Sequence, residues 1–163
     1  MVGLTDSQRA EYFHRSYKAV DGLWFVKAEE RYGFEGALEL DEAVWRVLPK
    51  IQARMIRSML ELDGSLEGLL AALEARLEME GFEFEAEDLG RSLQVEVRRC
   101  PWHEIMVRSG REKLSGSVSD VICQVENSVW ASEFSDGGQI EFSRDERICR
   151  GAPRCLLHFR IKG

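Results

Sequence analysis

The hydrophobic periodicity of this chain changes at Gly81. Before that residue, apolar side chains recur at steps of three and four, which is the spacing of one helix face. Pro49 lies within the longest run and is expected to kink its helix, because proline removes a backbone donor and crowds the preceding turn. We therefore expect a helical region over residues 1–80. Its longest apolar stripe comprises Leu40, Val44, Leu48, Ile51, Met55, Met59 and Leu62.

After Gly81, apolar and polar residues alternate with the period of two that is typical of strands. The turn residues Asp88-Leu89-Gly90 separate the first two alternating runs and predict a hairpin. Residues 81–163 follow the order β-β-α-α-β-β, which predicts an α+β domain with helices on one face of an antiparallel sheet, forming one compact unit with the helical region. The predicted elements are strands at 82–85 and 93–97, helices from Pro101 and over 117–134, and strands at 140–142 and 156–161.

The charge balance limits the classes of partner. The 163 residues carry 22 Lys and Arg against 29 Asp and Glu, a formal net charge of −7, which argues against direct binding to a nucleic-acid backbone. The N-terminus lacks a basic segment followed by an apolar one, and no stretch approaches the ~20 apolar residues of a membrane span. We therefore expect a cytoplasmic protein with no membrane partner, whose cysteines are thiols, metal ligands or redox groups and not disulfides.

The four cysteines all lie in the second half, at Cys100, Cys123, Cys149 and Cys155. Gly151 and Pro153 supply turn chemistry between the last two, so this loop can bring both sulfurs to one spot. Cys123 belongs to the long helix that should pack on the same sheet. Three thiolates and one further donor would complete the tetrahedral shell of a structural zinc. The alternative is that Cys123 is a small buried apolar residue and the other two are incidental.

The stretch from Val118 to Ile161 resembles the 4-vinyl-reductase-type small-molecule-binding domain. The matching motifs are a helix cysteine at Cys123, the helix end Trp130-Ala131-x-x-Phe134, the segment Glu146-x-x-Cys149-Arg150-Gly151, and Cys155 at the start of a strand. In sensors of that family these positions hold zinc. The resemblance therefore implies a zinc site, with iron as the other candidate metal, formed by Cys123, Glu146, Cys149 and Cys155.

Cys100 is the alternative fourth ligand. It is absent from the sensor pattern, but zinc prefers a thiolate to a carboxylate where both can reach it. Cys100-Pro101-Trp102 and Asp21-Gly22-Leu23-Trp24-Phe25 also make the whole chain similar to an uncharacterised clade related to aminothiazoline-carboxylate hydrolase-like proteins. That similarity implies, as an alternative activity, hydrolysis of a small cyclic amide or amidine.

Two further groups are candidates for function. Cys100 with His103 is a possible nucleophile and base, the alternative being a surface imidazole at a helix start. Four aromatic residues are candidates to line an apolar pocket between the helical region and the sheet, although core packing is their other possible role. These residues are Trp24, Phe25, Trp102 and Trp130.

We therefore expect a small-molecule-binding protein, of sensor or carrier type, with a structural zinc site and a small apolar or aromatic ligand. The hydrolase and a thiol-based redox switch are the alternatives. A homodimer is also expected, because Trp45, Val47 and Ile56 lie opposite the long apolar stripe. A helix that is apolar on more than one face is normally buried on more than one side.

Overall fold

The structure, a computed structural model, describes residues 3–136 and 138–162. Two compact units can be distinguished, and the boundary between them falls between Ala43 and Val44. Helix α1, Asp6–Trp45, accounts for most of the first unit and contains one break at Gly33, whose φ of 77° is favoured by a residue without a Cβ. The helical prediction for this region is confirmed.

The expected kink at Pro49 is wrong. Helix α1 ends before Pro49, and a new helix, α2, spans Leu48–Met59 with the proline in its first turn. The first turn has no intrahelical partner for its N–H groups, so proline costs nothing there. The periodicity predicted one bent helix here, whereas the structure has two helices, α1 and α2.

The buried face of α2 also differs from the predicted one. Ala53 is fully buried and Ile56 is 8% exposed, whereas Ile51 and Met55 are 56% and 48% exposed. The predicted stripe is thus the exposed side, and Ile56, which was assigned to the opposite side, contacts the core. The small Ala53 side chain lets this face approach its neighbours closely, which periodicity alone does not reveal.

Helix α3, Leu66–Glu80, has a local capping signal at each end. The Ser65 hydroxyl accepts the Gly68 N–H at 3.0 Å, and Gly81 ends the helix in the left-handed region with a φ of 83°. The short helix α4, Pro101–Arg108, also begins at the predicted proline. The long helix α5, Glu112–Glu133, starts five residues before its predicted start at Ser117.

The second unit contains one antiparallel sheet of four strands, which confirms the α+β class. The strands are β1 (Glu83–Asp88), β2 (Ser92–Arg99), β3 (Ile140–Arg144) and β4 (Cys155–Ile161). They lie side by side in the order β1-β2-β4-β3, so β4 is central and β3 forms an edge. A single turn of 3-10 helix, Ile148–Arg150, connects β3 to β4.

The core of the second unit lies between one sheet face and α2, α3 and α5. Alternate residues of β2, such as Val95, face this core, and Phe159 of β4 lies among them with no exposed surface. Trp130 stacks on Phe134 with ring centroids 6.5 Å apart. Within the described residues no helix combines the length and the apolar character needed to cross a membrane.

Candidate functional site

The four cysteines come from four separate elements of the second unit. All are half-buried free thiols. Cys100 and Cys155 lie at the ends of their elements, and Cys123 lies within a helix. The positions are Cys100 at the N-cap of α4, Cys123 within α5, Cys149 in the 3-10 turn, and Cys155 at the first residue of β4.

Two of the sulfurs accept backbone hydrogen bonds. The Cys100 Sγ accepts the His103 N–H at 3.5 Å, as a capping residue does, and the Cys155 Sγ accepts the Ile148 N–H at 3.3 Å. Hydrogen bonds of this kind favour the charged form of the acceptor. Both sulfurs are therefore placed where a thiolate would be stabilised if a cation compensated its burial.

The thiols are close enough to affect one another's ionisation. Burial, with smaller contributions from the Cys123 and Cys155 thiols, raises the pKa of Cys100 to about 12. Burial also raises the pKa of Cys123 to about 11, with a smaller contribution from Cys149. Burial raises the pKa of Cys155 too, and Cys149 again contributes. Without a cation, Cys100, Cys123 and Cys155 are protonated at neutral pH.

The donor chemistry suits zinc, but the described residues contain no formed metal site. Among residues 3–136 and 138–162, no three His, Cys, Asp or Glu side chains stand in an arrangement that could hold a metal ion. Glu146 is engaged elsewhere, because its carboxylate accepts two N–H groups of Arg154 at 3.1 and 3.0 Å. The four soft sulfur donors fit zinc by type. Binding would require the thiols to rearrange from the positions that they occupy here.

Cys100 is expected to react slowly with an alkylating agent. With a pKa of about 12, roughly one Cys100 side chain in 10⁵ is a thiolate at pH 7, against a few per cent for an ordinary thiol. Peptide mapping after iodoacetamide treatment of metal-free protein should therefore find Cys100 about a thousandfold slower than a free cysteine. If Cys100 were the first of the four to be labelled, its assignment as a buried neutral thiol would be wrong.

The proposed nucleophile and base do not contact each other through their side chains. The His103 ring places Nδ1 2.8 Å from the Ser115 Oγ, whereas the Cys100 sulfur contacts the His103 backbone. A catalytic thiol needs a depressed pKa, and burial raises that of Cys100. This arrangement does not favour nucleophilic catalysis by Cys100.

The four candidate pocket aromatics have different environments. In the first unit, Trp24 is 73% exposed and Phe25 is half-buried. In the second unit, Trp102 meets Trp45 edge to face at 6.0 Å and donates its indole N–H to a Glu80 oxygen at 3.1 Å. Trp130 is completely buried in the core.

The sequence analysis did not identify a buried ion pair that is linked to the backbone of Cys123. Arg76 of α3 lies 2.7 Å from a carboxylate oxygen of Glu126 on α5, and the two side chains are only 5% and 12% exposed. The Arg76 guanidinium also lies 5.1 Å from the centroid of the Trp130 ring. Asn127 accepts from Arg76 at 3.3 Å and donates to the Cys123 carbonyl at 2.8 Å. The pair thus connects α3 to the helix turn that carries Cys123.

A polar groove of about 810 Å³ lies beside the edge strand β3. Serines on α5 line one side, and His158, which contacts Asp145 at 3.1 Å, lies on the other. This is not the apolar pocket that the aromatic residues predicted, and none of the four lines it. A sequence signal for this groove was the spacing of Ser128 and Ser132, which places both side chains on one face of α5. The serines that line it are Ser128, Ser132, Ser135 and Ser143.

One comparison with known proteins gives a match. A family model described as a family of unknown function, DUF6125, matches residues 9–138. This chain belongs to the DUF6125 family. The matched part of this DUF6125 chain includes Cys100 and Cys123 and ends before Cys149 and Cys155. No curated protein and no solved structure matches the chain.

Proposed function

We propose that this DUF6125 protein is a small-molecule-binding protein of sensor or carrier type whose second unit is stabilised by a structural zinc ion. The main support is that Cys123 and Cys155 help to raise the pKa of Cys100, and Cys149 helps to raise the pKa values of Cys123 and Cys155, so the four thiols share one neighbourhood. Cys100 and Cys155 also accept backbone N–H groups that favour thiolates.

The zinc ligands we propose are the four thiolates, with Cys100 in the fourth place. Glu146 is the weaker candidate, because its carboxylate would first have to leave Arg154. Zinc would supply a structural cross-link and no catalytic group. It would join the end of β2, the middle of α5, the 3-10 turn and the start of β4. Each thiol would lose its proton on binding.

The ligand we propose is a small apolar or aromatic molecule, as the resemblance to 4-vinyl-reductase-type domains implies. A cytoplasmic location is part of the same proposal, because reduced thiols persist there. The alternatives are a thiol redox switch, which the same four cysteines could provide, and a hydrolase. The raised pKa of Cys100 disfavours the hydrolase that would use it as nucleophile.

Native mass spectrometry of protein purified without chelator tests this function. The expected species is the 18.7 kDa chain with one zinc ion and a small molecule that is released on unfolding. A bare chain with four titratable thiols would contradict the zinc proposal and favour the redox switch. A chain that carries zinc but binds no small molecule, even after exposure to aromatic compounds, would contradict the ligand-binding proposal and support only the structural zinc.

We also propose that the protein forms a homodimer through the exposed face of α2. Ile51, Met55 and Met59 are 56%, 48% and 72% exposed along this one helix. Contiguous exposed apolar residues mark interaction surfaces, and twofold pairing is the commonest way to cover them. We expect the cysteine loop to lie outside the interface.

Light scattering at micromolar concentration should therefore give a mass of twice 18.7 kDa. Met55→Glu should shift the protein to the monomer, because it places a charge within the apolar contact. Leu89→Glu is the matched control, since Leu89 is 54% exposed at the hairpin turn. A monomer for the unmodified protein would refute the dimer.

A further inference from the structure

Three arginines converge on one aspartate beside the candidate metal ligands. One carboxylate oxygen of Asp120 accepts Arg147, and the other accepts Arg150. Arg144 reaches the same carboxylate only at 3.7 Å. The three guanidinium groups and Asp120 together carry a charge of +2. This is a concentration of positive charge on a chain whose net charge is −7.

Arg144 is the least compensated of the three. Its side chain is only 9% exposed, and its nearest partner is the neutral Ser119 hydroxyl, which accepts at 2.9 Å. A buried cation is normally matched by a close anion or by several good acceptors. A guanidinium group has five N–H donors, so the Ser119 contact and the 3.7 Å approach to Asp120 leave Arg144 with hydrogen-bonding capacity for another acceptor.

The fold makes room for Arg150 in this arrangement. Its guanidinium lies against Gly116 of α5, where an added Cβ would stand 2.7 Å from the Arg150 Nε. Glycine in a helix interior is less favourable than alanine, so its presence here is explained by the close approach of the arginine. Asp120 lies one turn further along α5 and holds the same side chain.

The three arginines favour the anionic form of Asp120. Burial alone would raise its pKa, but the Arg150 hydrogen bond and the charges of Arg147 and Arg144 outweigh burial and lower the pKa of Asp120. The cluster is also accessible, since the Arg147 and Arg150 side chains are 31% and 48% exposed. The cluster therefore combines one buried guanidinium group with two that solvent can reach.

We propose that Arg144, Arg147 and Arg150 bind a doubly charged oxyanion, such as a phosphate group. Guanidinium groups match the geometry of phosphate oxygens, and a dianion would neutralise the charge of +2. Asp120, Ser119 and Gly116 position the arginines from α5. The site does not rest on the zinc proposed above, because none of these contacts involves a thiol.

Calorimetric titration with inorganic phosphate at low ionic strength tests the site in the full-length protein. One phosphate per chain is expected, with binding weakened about fivefold or more in Arg150→Gln, since a charge-assisted hydrogen bond is lost. Arg98→Gln is the matched control, because Arg98 is 54% exposed and paired with Glu85 and Glu96 on the sheet. It should bind phosphate like the unmodified protein.

Gly116→Ala provides a second test that leaves the charge unchanged. The new Cβ would displace the Arg150 guanidinium, so phosphate binding should weaken while the helix is maintained. Benzoate, a single carboxylate, should bind more weakly than phosphate. The proposal is wrong if phosphate binding does not saturate, if Arg150→Gln and Arg98→Gln weaken it equally, or if benzoate binds more tightly than phosphate. All of these titrations can be repeated after chelation, so a missing metal would not be mistaken for a missing anion site.

Discussion

Arg76→Ala is expected to lower the free energy of unfolding by about 3–5 kcal/mol, because it leaves a buried carboxylate without its partner. Arg76 and Glu126 are 5% and 12% exposed and approach to 2.7 Å. The substitution also removes the cation that lies 5.1 Å from the Trp130 ring centroid. Urea denaturation followed by circular dichroism measures this loss.

Two controls separate charge burial from packing. Arg54→Ala removes an ion pair of similar length, 2.6 Å to Glu133, but Arg54 is 70% exposed, so its loss should be far smaller. Replacing both partners, as Arg76→Met with Glu126→Leu, should restore most of the stability, because no unpaired charge remains in the core. If Arg76→Ala were no more destabilising than Arg54→Ala, the pair would not be a buried element of the fold.

Removal of the proposed zinc ion is expected to lower the melting temperature by about 10 °C or more. Structural zinc contributes several kcal/mol to folding, and each kcal/mol corresponds to roughly 2–4 °C in a chain of this size. The thiols extend from Cys100 to Cys155 along the chain, so a cross-link through zinc would close long loops and constrain the unfolded chain. Differential scanning calorimetry with and without a strong chelator measures the shift.

Cys149→Ser provides the control for this experiment. Cys149 is a half-buried residue of the 3-10 turn, so its substitution should cost little except through the metal. The variant should melt near the temperature of the chelated protein and should not respond to chelator. If the chelator shifted the unmodified protein and Cys149→Ser equally, Cys149 would not be a ligand.

Element boundaries were predictable where a local signal defines them. Ser65, Gly81 and Pro101 each mark a helix end through capping or backbone chemistry that acts within a few residues. Pro49 was a local signal too, but periodicity on both sides hid the fact that it begins a helix. The second strand pair was predictable from alternation, whereas its spatial order was not, because β4 pairs with the distant β2.

The candidate site was predictable by residue type and only partly by geometry. The cysteines were identifiable, but the engagement of Glu146 by Arg154 depends on a contact across the loop that no spacing encodes. Arg76 resembled an ordinary surface charge on a helix, and its burial depends on Asn127, 51 residues away along the chain, and on Glu126 beside it. The sequence pattern did not predict which charged residues pair across the fold.

The central claim is that four thiolates hold one zinc ion. Elemental analysis and zinc X-ray absorption of protein purified without chelator test it most directly. The account predicts about one zinc per chain with four sulfur neighbours, and three in Cys123→Ser. Less than a tenth of an equivalent of metal with four titratable thiols, or a coordination shell of nitrogen and oxygen alone, would contradict it.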